Sequence, residues 1–231
     1  MKKLPALILI LATTVLAYEE ADLIKLEATL QCKRCDLSGA NLNKAFLSEA
    51  NLAGANLSRA NLAGANLRKA NLFKANLREA NLTGANLMSA NLAEAKLFDT
   101  NLSFANLSNA NLTKAKDITI LHGAKLSYAN LSNAQLPLAD LTKANLTNTK
   151  FTGANMMMVN LSDANLREAS LALVYLGGAN VDGANFYGVS FFRTNLSNID
   201  FTKASSIKNV DLQQAKFCKT KMPWGELNDN C

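Results

Sequence analysis

Histidine is almost absent from this chain: His122 is the only one in 231 residues. A multi-histidine metal site or a histidine-dependent catalytic centre has almost no material to be built from. Aromatic residues make up only 6% and proline occurs three times, yet 49% of the chain is hydrophobic. The apolar share is therefore mostly Ala and Leu. Together with a mean hydropathy of +0.02, it excludes a disordered chain, which lacks apolar residues to bury. Eleven glycines exclude a collagen-like chain, which needs one at every third position.

The N-terminus carries an uncharged run that is almost wholly apolar. Lys2 and Lys3 precede Leu4 to Ala17, and Tyr18-Glu19-Glu20 turns acidic at once. The run falls short of the roughly 20 residues that span a bilayer, and no later stretch is long enough either. A basic start, a short apolar stretch and the small-residue ending Val15-Leu16-Ala17 mark an export signal. The sequence predicts cleavage of residues 1–17 and a protein of the periplasm or thylakoid lumen without stable membrane insertion. Losing Lys2 and Lys3 leaves 22 basic residues against 18 acidic, a net of +4.

Four cysteines in an exported chain point to disulfides rather than metal. They lie in two pairs at the two ends, Cys32 with Cys35 and Cys218 with Cys231. A zinc site needs four ligands brought together, and a rod holds these pairs apart. The spacing of Cys32 and Cys35 also occurs in thiol–disulfide enzymes, where the first Cys opens a helix after a strand. Here Asp36-Leu37 leads straight into a repeat. Both pairs read as structural; a redox-responsive protein acting through them is the alternative.

The repeat has a period of five. Ala40-Asn41-Leu42, Ala50-Asn51-Leu52 and Ala55-Asn56-Leu57 set its register. With Leu as the centre, centres fall every fifth residue from Leu37 to Leu112 and again from Leu126 to Phe201. Leu212, Phe217 and Met222 close the series. The register slips across residues 117–123, which reads as an insertion or a distorted turn. One residue too many between Phe201 and Leu212 predicts a bulge around Ser205 to Lys208.

A period of five fits neither a helix at 3.6 nor a plain strand at 2. Something must turn the chain by a fixed angle every five residues. Four quarter-turns make a square coil of twenty, and coils stack at roughly 4.8 Å. Leu then fills the bore, at about 1.5–3 kcal/mol per buried side chain. Ala sits at the crowded inner corner, where larger residues overpack. Asn points outward, where stacked Asn can form ladders.

This pattern resembles the pentapeptide repeat family, whose motif is A-(D/N)-L-x-x. The resemblance covers Leu37 to Met222. It implies an all-β solenoid, a right-handed quadrilateral β-helix, here of about nine coils. The opening Cys32-x-x-Cys35-Asp36-Leu37 and the closing Phe217-Cys218 to Met222-Pro223 look like those of exported cyanobacterial members. The Phe centres Phe186, Phe191, Phe201 and Phe217 suggest a wider or looser final coil. A stacked solenoid needs caps at both ends. Ala21, Leu23, Leu26 and Leu30 predict a short capping helix within residues 18–36, and residues 223–231 a tail closed by Cys218–Cys231.

No nucleophile–base pair, phosphate loop or metal constellation emerges, so no catalytic residue and no cofactor are expected. His122 falls in the slip. Family members resembling quinolone-resistance factors present an acidic, DNA-like rod to topoisomerase, but this chain is basic, with a pI near 9.1. Its basic residues are interleaved with acidic ones, which argues against nucleic acid as a partner. A non-catalytic extracytoplasmic scaffold remains. One face carries outward Pro137, Leu138, Met157, Met158 and Tyr175, and Leu138 and Met158, twenty apart, should stack. A clustered exposed apolar patch marks a contact site, for an unidentified protein or a second copy of the rod.

Overall fold

The period of five turns into structure through one short bridge per unit. The computed structural model describes residues 19–228 and 231, so the expected export signal lies outside the described residues. The residue before each centre bridges in parallel to its counterpart one coil on: Asn51 to Asn71, Asn56 to Asn76, Asn61 to Asn81 and Asn66 to Asn86. Partners are twenty residues apart, so four units close one coil. Leu37 N–H donates to Asn56 C=O at 2.7 Å, and Asn56 N–H to Cys35 C=O at 2.9 Å. Each flat stretch ends almost at once in a corner, so the ladder is built of bridges rather than long strands.

At each corner the Ala N–H bonds back to the centre's carbonyl, as from Ala40 to Leu37 at 3.1 Å. The second turn residue has positive φ: +71° at Gly39, +58° at Lys69, +59° at Glu79. Glycine meets that need at no steric cost, yet long side chains take the position in most units. Asn does two jobs beside the turn. Asn81 Oδ1 accepts Thr83 N–H at 3.0 Å, and Asn76 Nδ2 donates to Asn56 Oδ1 at 3.0 Å.

Inside, the Leu and Ala columns are buried except toward the ends, where Ala45, Ala204 and Leu212 are partly buried; Leu52, Leu57, Leu62 and Leu67 are fully so. Thr replaces the corner Ala at Thr100, Thr149 and Thr220. Each hydroxyl donates to a centre's carbonyl, on Leu77, Leu126 and Leu196, at 2.6, 2.8 and 2.9 Å. Phe186, Phe191 and Phe201 are fully buried and meet in one ring cluster, with centroids 5.4–5.9 Å apart. The large centres pack on one another at the C-terminal end.

Two features differ from the sequence expectation, and the expected bulge takes a defined form. The ladder begins at Gln31, which bridges Asn51. Cys32 therefore occupies a centre and Cys35 a corner, and the pair belongs to the first coil rather than to a cap ahead of Leu37. The slip is a shortening, not an insertion: bridging residues fall at Lys116 and Ile120, leaving a unit of four, Lys116 to Thr119. Asp117 turns outward with φ +55° and Ile118 fills the bore in its place. Across this unit partners are nineteen apart, as in Asn111 with Asn130. The later bulge is a unit of six from Asp200 to Ser205, after which Ser206 bridges Asn185 and Ile207 is buried as a further centre.

Both ends are covered. Helix α1 (Glu20–Thr29) buries Leu26 completely against the first coil, with Leu23 and Leu30 partly buried beside it. It also stands in for a missing coil below Asp36: Asp22 Oδ2 accepts Asp36 N–H at 2.8 Å, and Glu19 N–H donates to Asp36 C=O at 3.2 Å. At the other end β1 (Thr220–Met222) pairs antiparallel with β2 (Gly225–Leu227).

Candidate interaction face

Three stacked units, Gln135 to Ala139, Asn155 to Val159 and Tyr175 to Ala179, share one face through the bridges Gln135–Asn155 and Asn155–Tyr175. Their centres Leu136, Met156 and Leu176 point into the bore and are fully buried. The outward positions are apolar. Leu138 is 70% exposed, Met158 60%, Tyr175 58% and Met157 48%; Pro137 is half-buried. Leu138 N–H bonds to Met157 C=O at 2.9 Å and Met158 N–H to Gly177 C=O at 3.0 Å, so Leu138, Met158 and Gly178 form one column. The short unit Lys116–Thr119 lies in the coil before and leaves these side chains open.

Local chemistry explains the odd residue types. In regular units the Asn side chain caps the N–H two residues on. Pro137 has no N–H to cap, and Gln135 stands where Asn would; its Oε1 accepts Asn155 Nδ2 at 3.3 Å instead. Proline also fits the first central position of a turn. At the opposite edge of the face, a shallow hollow of about 340 Å³ is lined by Gln135, Gly153, Asn155, Met157 and Tyr175.

The structure brings the five expected patch residues together and adds two features that sequence reasoning missed. Leu173, 47% exposed, sits in the turn leading to Tyr175; the register, extended to this turn, locates it. The hollow depends on Gly153 and on how side chains lie, and no sequence signal points to it. Other exposed aromatics, such as Phe46 and Tyr128, stand on a different face.

The cysteines are joined within pairs, Cys32 to Cys35 and Cys218 to Cys231, at the two ends of the ladder. Asp22, Cys32 and Cys35 place ligand atoms within 4.8 Å of one another, but both sulfurs are held in the disulfide and offer no thiolate. His122 Nδ1 lies 2.5 Å from Thr142 Oγ1, and Thr142 O–H donates to Asp140 Oδ1 at 2.7 Å. The hydroxyl proton is committed to the carboxylate, so Thr142 is a relay acceptor for His122 and not a nucleophile beside it. The Phe104 ring packs edge-on against the imidazole at 5.3 Å.

Charges pair along columns, one coil apart. Arg59 Nε meets Glu79 Oε2 at 2.9 Å, and Lys74 pairs with Glu94 and Lys69 with Glu49, each at 3.4 Å. The hydrogen bond and then the charge of Glu79 raise the Arg59 pKa, and the same contacts hold Glu79 below the usual carboxylate value. Asp200 is lowered first by the bonds from Thr202 and only then by Lys221 and Lys203. All are exposed pairs of the kind that contribute little stability. Among the described residues no helix is long and apolar enough to cross a membrane.

Comparison with known proteins agrees with the repeat. The family model described as pentapeptide repeats matches in eight copies, over residues 31–68, 50–87, 65–103, 90–116, 119–156 and 169–205. No curated relative matches the chain. Among solved structures, HetL of the cyanobacterium Nostoc sp., a pentapeptide repeat protein involved in heterocyst differentiation regulation, is 27% identical. The match covers 89% of this chain and 97% of HetL, with a TM-score of 0.45. A pentapeptide repeat protein of the Arabidopsis thaliana thylakoid lumen is 29% identical over 51% of this chain and 68% of its own, with a TM-score of 0.35. Rfr23 of Cyanothece is 26% identical over 83% of this chain and 97% of its own, with a TM-score of 0.24.

Proposed function

Because this chain belongs to the pentapeptide repeat family, we propose that it is a non-catalytic, exported protein-binding rod of about nine right-handed coils. Its docking site is the face carrying Pro137, Leu138, Met157, Met158 and Tyr175. Export to the periplasm or thylakoid lumen rests on the signal pattern at residues 1–17 and on two cysteine pairs that suit an oxidising compartment. The disulfides act as staples at the ends of the rod.

One observation carries the docking role. Leu138, Met158 and Leu173 combine large exposed apolar area with φ of +61°, +55° and +61°. A bulky residue in that region strains the backbone, and its exposed carbons gain nothing from burial. Glycine fills the same position at Gly178 and Gly153. Phe104 and Tyr128 share both features elsewhere on the rod, but Leu138, Met158 and Leu173 gather with Met157 and Tyr175 about one face, and that clustering supports a role outside the fold.

Affinity capture from the native compartment tests this reading, with the Leu138→Ser/Met158→Ser protein beside the wild type. A partner retained by the wild type and lost by an equally stable variant supports it. Equal retention by both removes this face from the function. N-terminal sequencing of the exported form tests the cleavage before Tyr18.

A further inference from the structure

Resting on that docking role, we infer that the occupant of this face is the same face of a second copy, with the two rods side by side and parallel. The first ground is charge. From Gln135 to Ile199 the four units of this face, including Asn195 to Ile199, contain no Asp, Glu, Lys or Arg. Earlier units of the same face carry Arg59, Arg78, Glu79, Lys96 and Asp99. A strip without charge, spanning roughly 15–20 Å along the rod at about 4.8 Å per coil, cannot be steered to a charged peptide, nucleic acid or anionic lipid surface. It is complementary to another surface that lacks charge, and the same strip on a second copy is one.

The second ground is shape. Leu138 and Met158 project from the turn where the chain leaves the face. The hollow at Gly153 and Asn155 lies at the turn where the chain enters it, at the level of Met158. Projection and hollow are thus at opposite edges of one face and at the same height. A two-fold axis in the contact plane, running along the rods, exchanges the two edges. Met158 of each copy then enters the hollow of the other, which is the self-complementarity that an isologous contact requires. Rods related by a perpendicular two-fold axis would set Met158 against Met158 and leave both hollows empty.

Four units present about three outward residues each, fewer than the roughly 20–30 residues a side of a standard interface, so association is weak and depends on concentration. Sedimentation velocity on the purified protein up to about 1 mM reads it. A monomer–dimer equilibrium is expected, weakened about tenfold or more by Leu138→Ser/Met158→Ser and unchanged by Phe46→Ser on another face. For geometry, Thr152 precedes Gly153 in the turn at the hollow, so Thr152→Cys/Met158→Cys protein is expected to form a covalent dimer on oxidation while Met158→Cys alone does not. Efficient cross-linking of Met158→Cys alone contradicts the parallel arrangement. A monomer at every concentration overturns self-pairing. In that event a double Ser variant as stable as the wild type leaves the docking face standing for a different partner, whereas a destabilised one removes the face as well.

Discussion

At the scale of single residues, the fold separates what a side chain does for packing from what it does at the surface. Leu136 and Leu138 are two residues apart, one fully buried and the other 70% exposed. Leu136→Ala is expected to cost about 2–5 kcal/mol, as deletions in close-packed cores do. Leu138→Gly is expected to stay within about 1 kcal/mol of wild type in a denaturant titration. Relief of a positive φ offsets the extra freedom that glycine gives the unfolded chain. Thr119 in the four-residue unit has a buried hydroxyl oxygen with no hydrogen-bond partner. Thr119→Val keeps the shape and removes that group, and should raise stability by about 1 kcal/mol, seen as a higher melting temperature. Glu79 and Asp200 have lowered carboxyl pKa values. A lowered group adds stability above its unfolded value, and loses it as pH falls through the folded value. Their contribution should therefore be constant above about pH 5 and vanish only in more acid solution; a carboxyl titration followed by NMR checks it.

At the scale of elements, α1 does the work of a coil that is not there. In regular coils the residue before each centre points both its N–H and its C=O at the coil below, as Asn56 does toward Cys35 and Leu37. Asp36 has no coil below, and Asp22 and Glu19 take both groups. Asp22→Ala leaves the Asp36 N–H without its acceptor, at about 1–3 kcal/mol if it stays buried. The expected reading is faster amide exchange over residues 19–36, with coils around Leu77 unchanged. The capping helix was legible from the spacing of Leu23, Leu26 and Leu30, but its polar substitution for a coil was not, because it needs the position of Asp22 in space. The first unit of the first coil was hidden by chemistry: Gln31 and Cys32 stand where the motif has Asn and Leu. The slip was visible as a break in register, yet its sense was not. A corner can close with four residues when Ile118 turns inward in place of Asp117, and counting alone does not distinguish that from an added loop.

At the scale of the whole molecule, the five-residue period determines nearly everything that repeats, and the proposed docking face lies in what departs from it. Columns, bore and ladders follow from Ala-Asn-Leu, because each residue's environment recurs every twenty positions. The outward face at Leu138 and Met158 was equally legible, since register alone says which side chains miss the bore. The hollow opposite them was not, because it is made by a glycine corner and the lie of its neighbours. The most direct test of the account is one comparison of wild-type and Leu138→Ser/Met158→Ser protein, with guanidinium unfolding and association measured on the same samples. The account expects unfolding free energies that agree within about 1 kcal/mol and an association that is lost or weakened about tenfold. A variant that loses several kcal/mol of stability, or one that associates as well as the wild type, would contradict it.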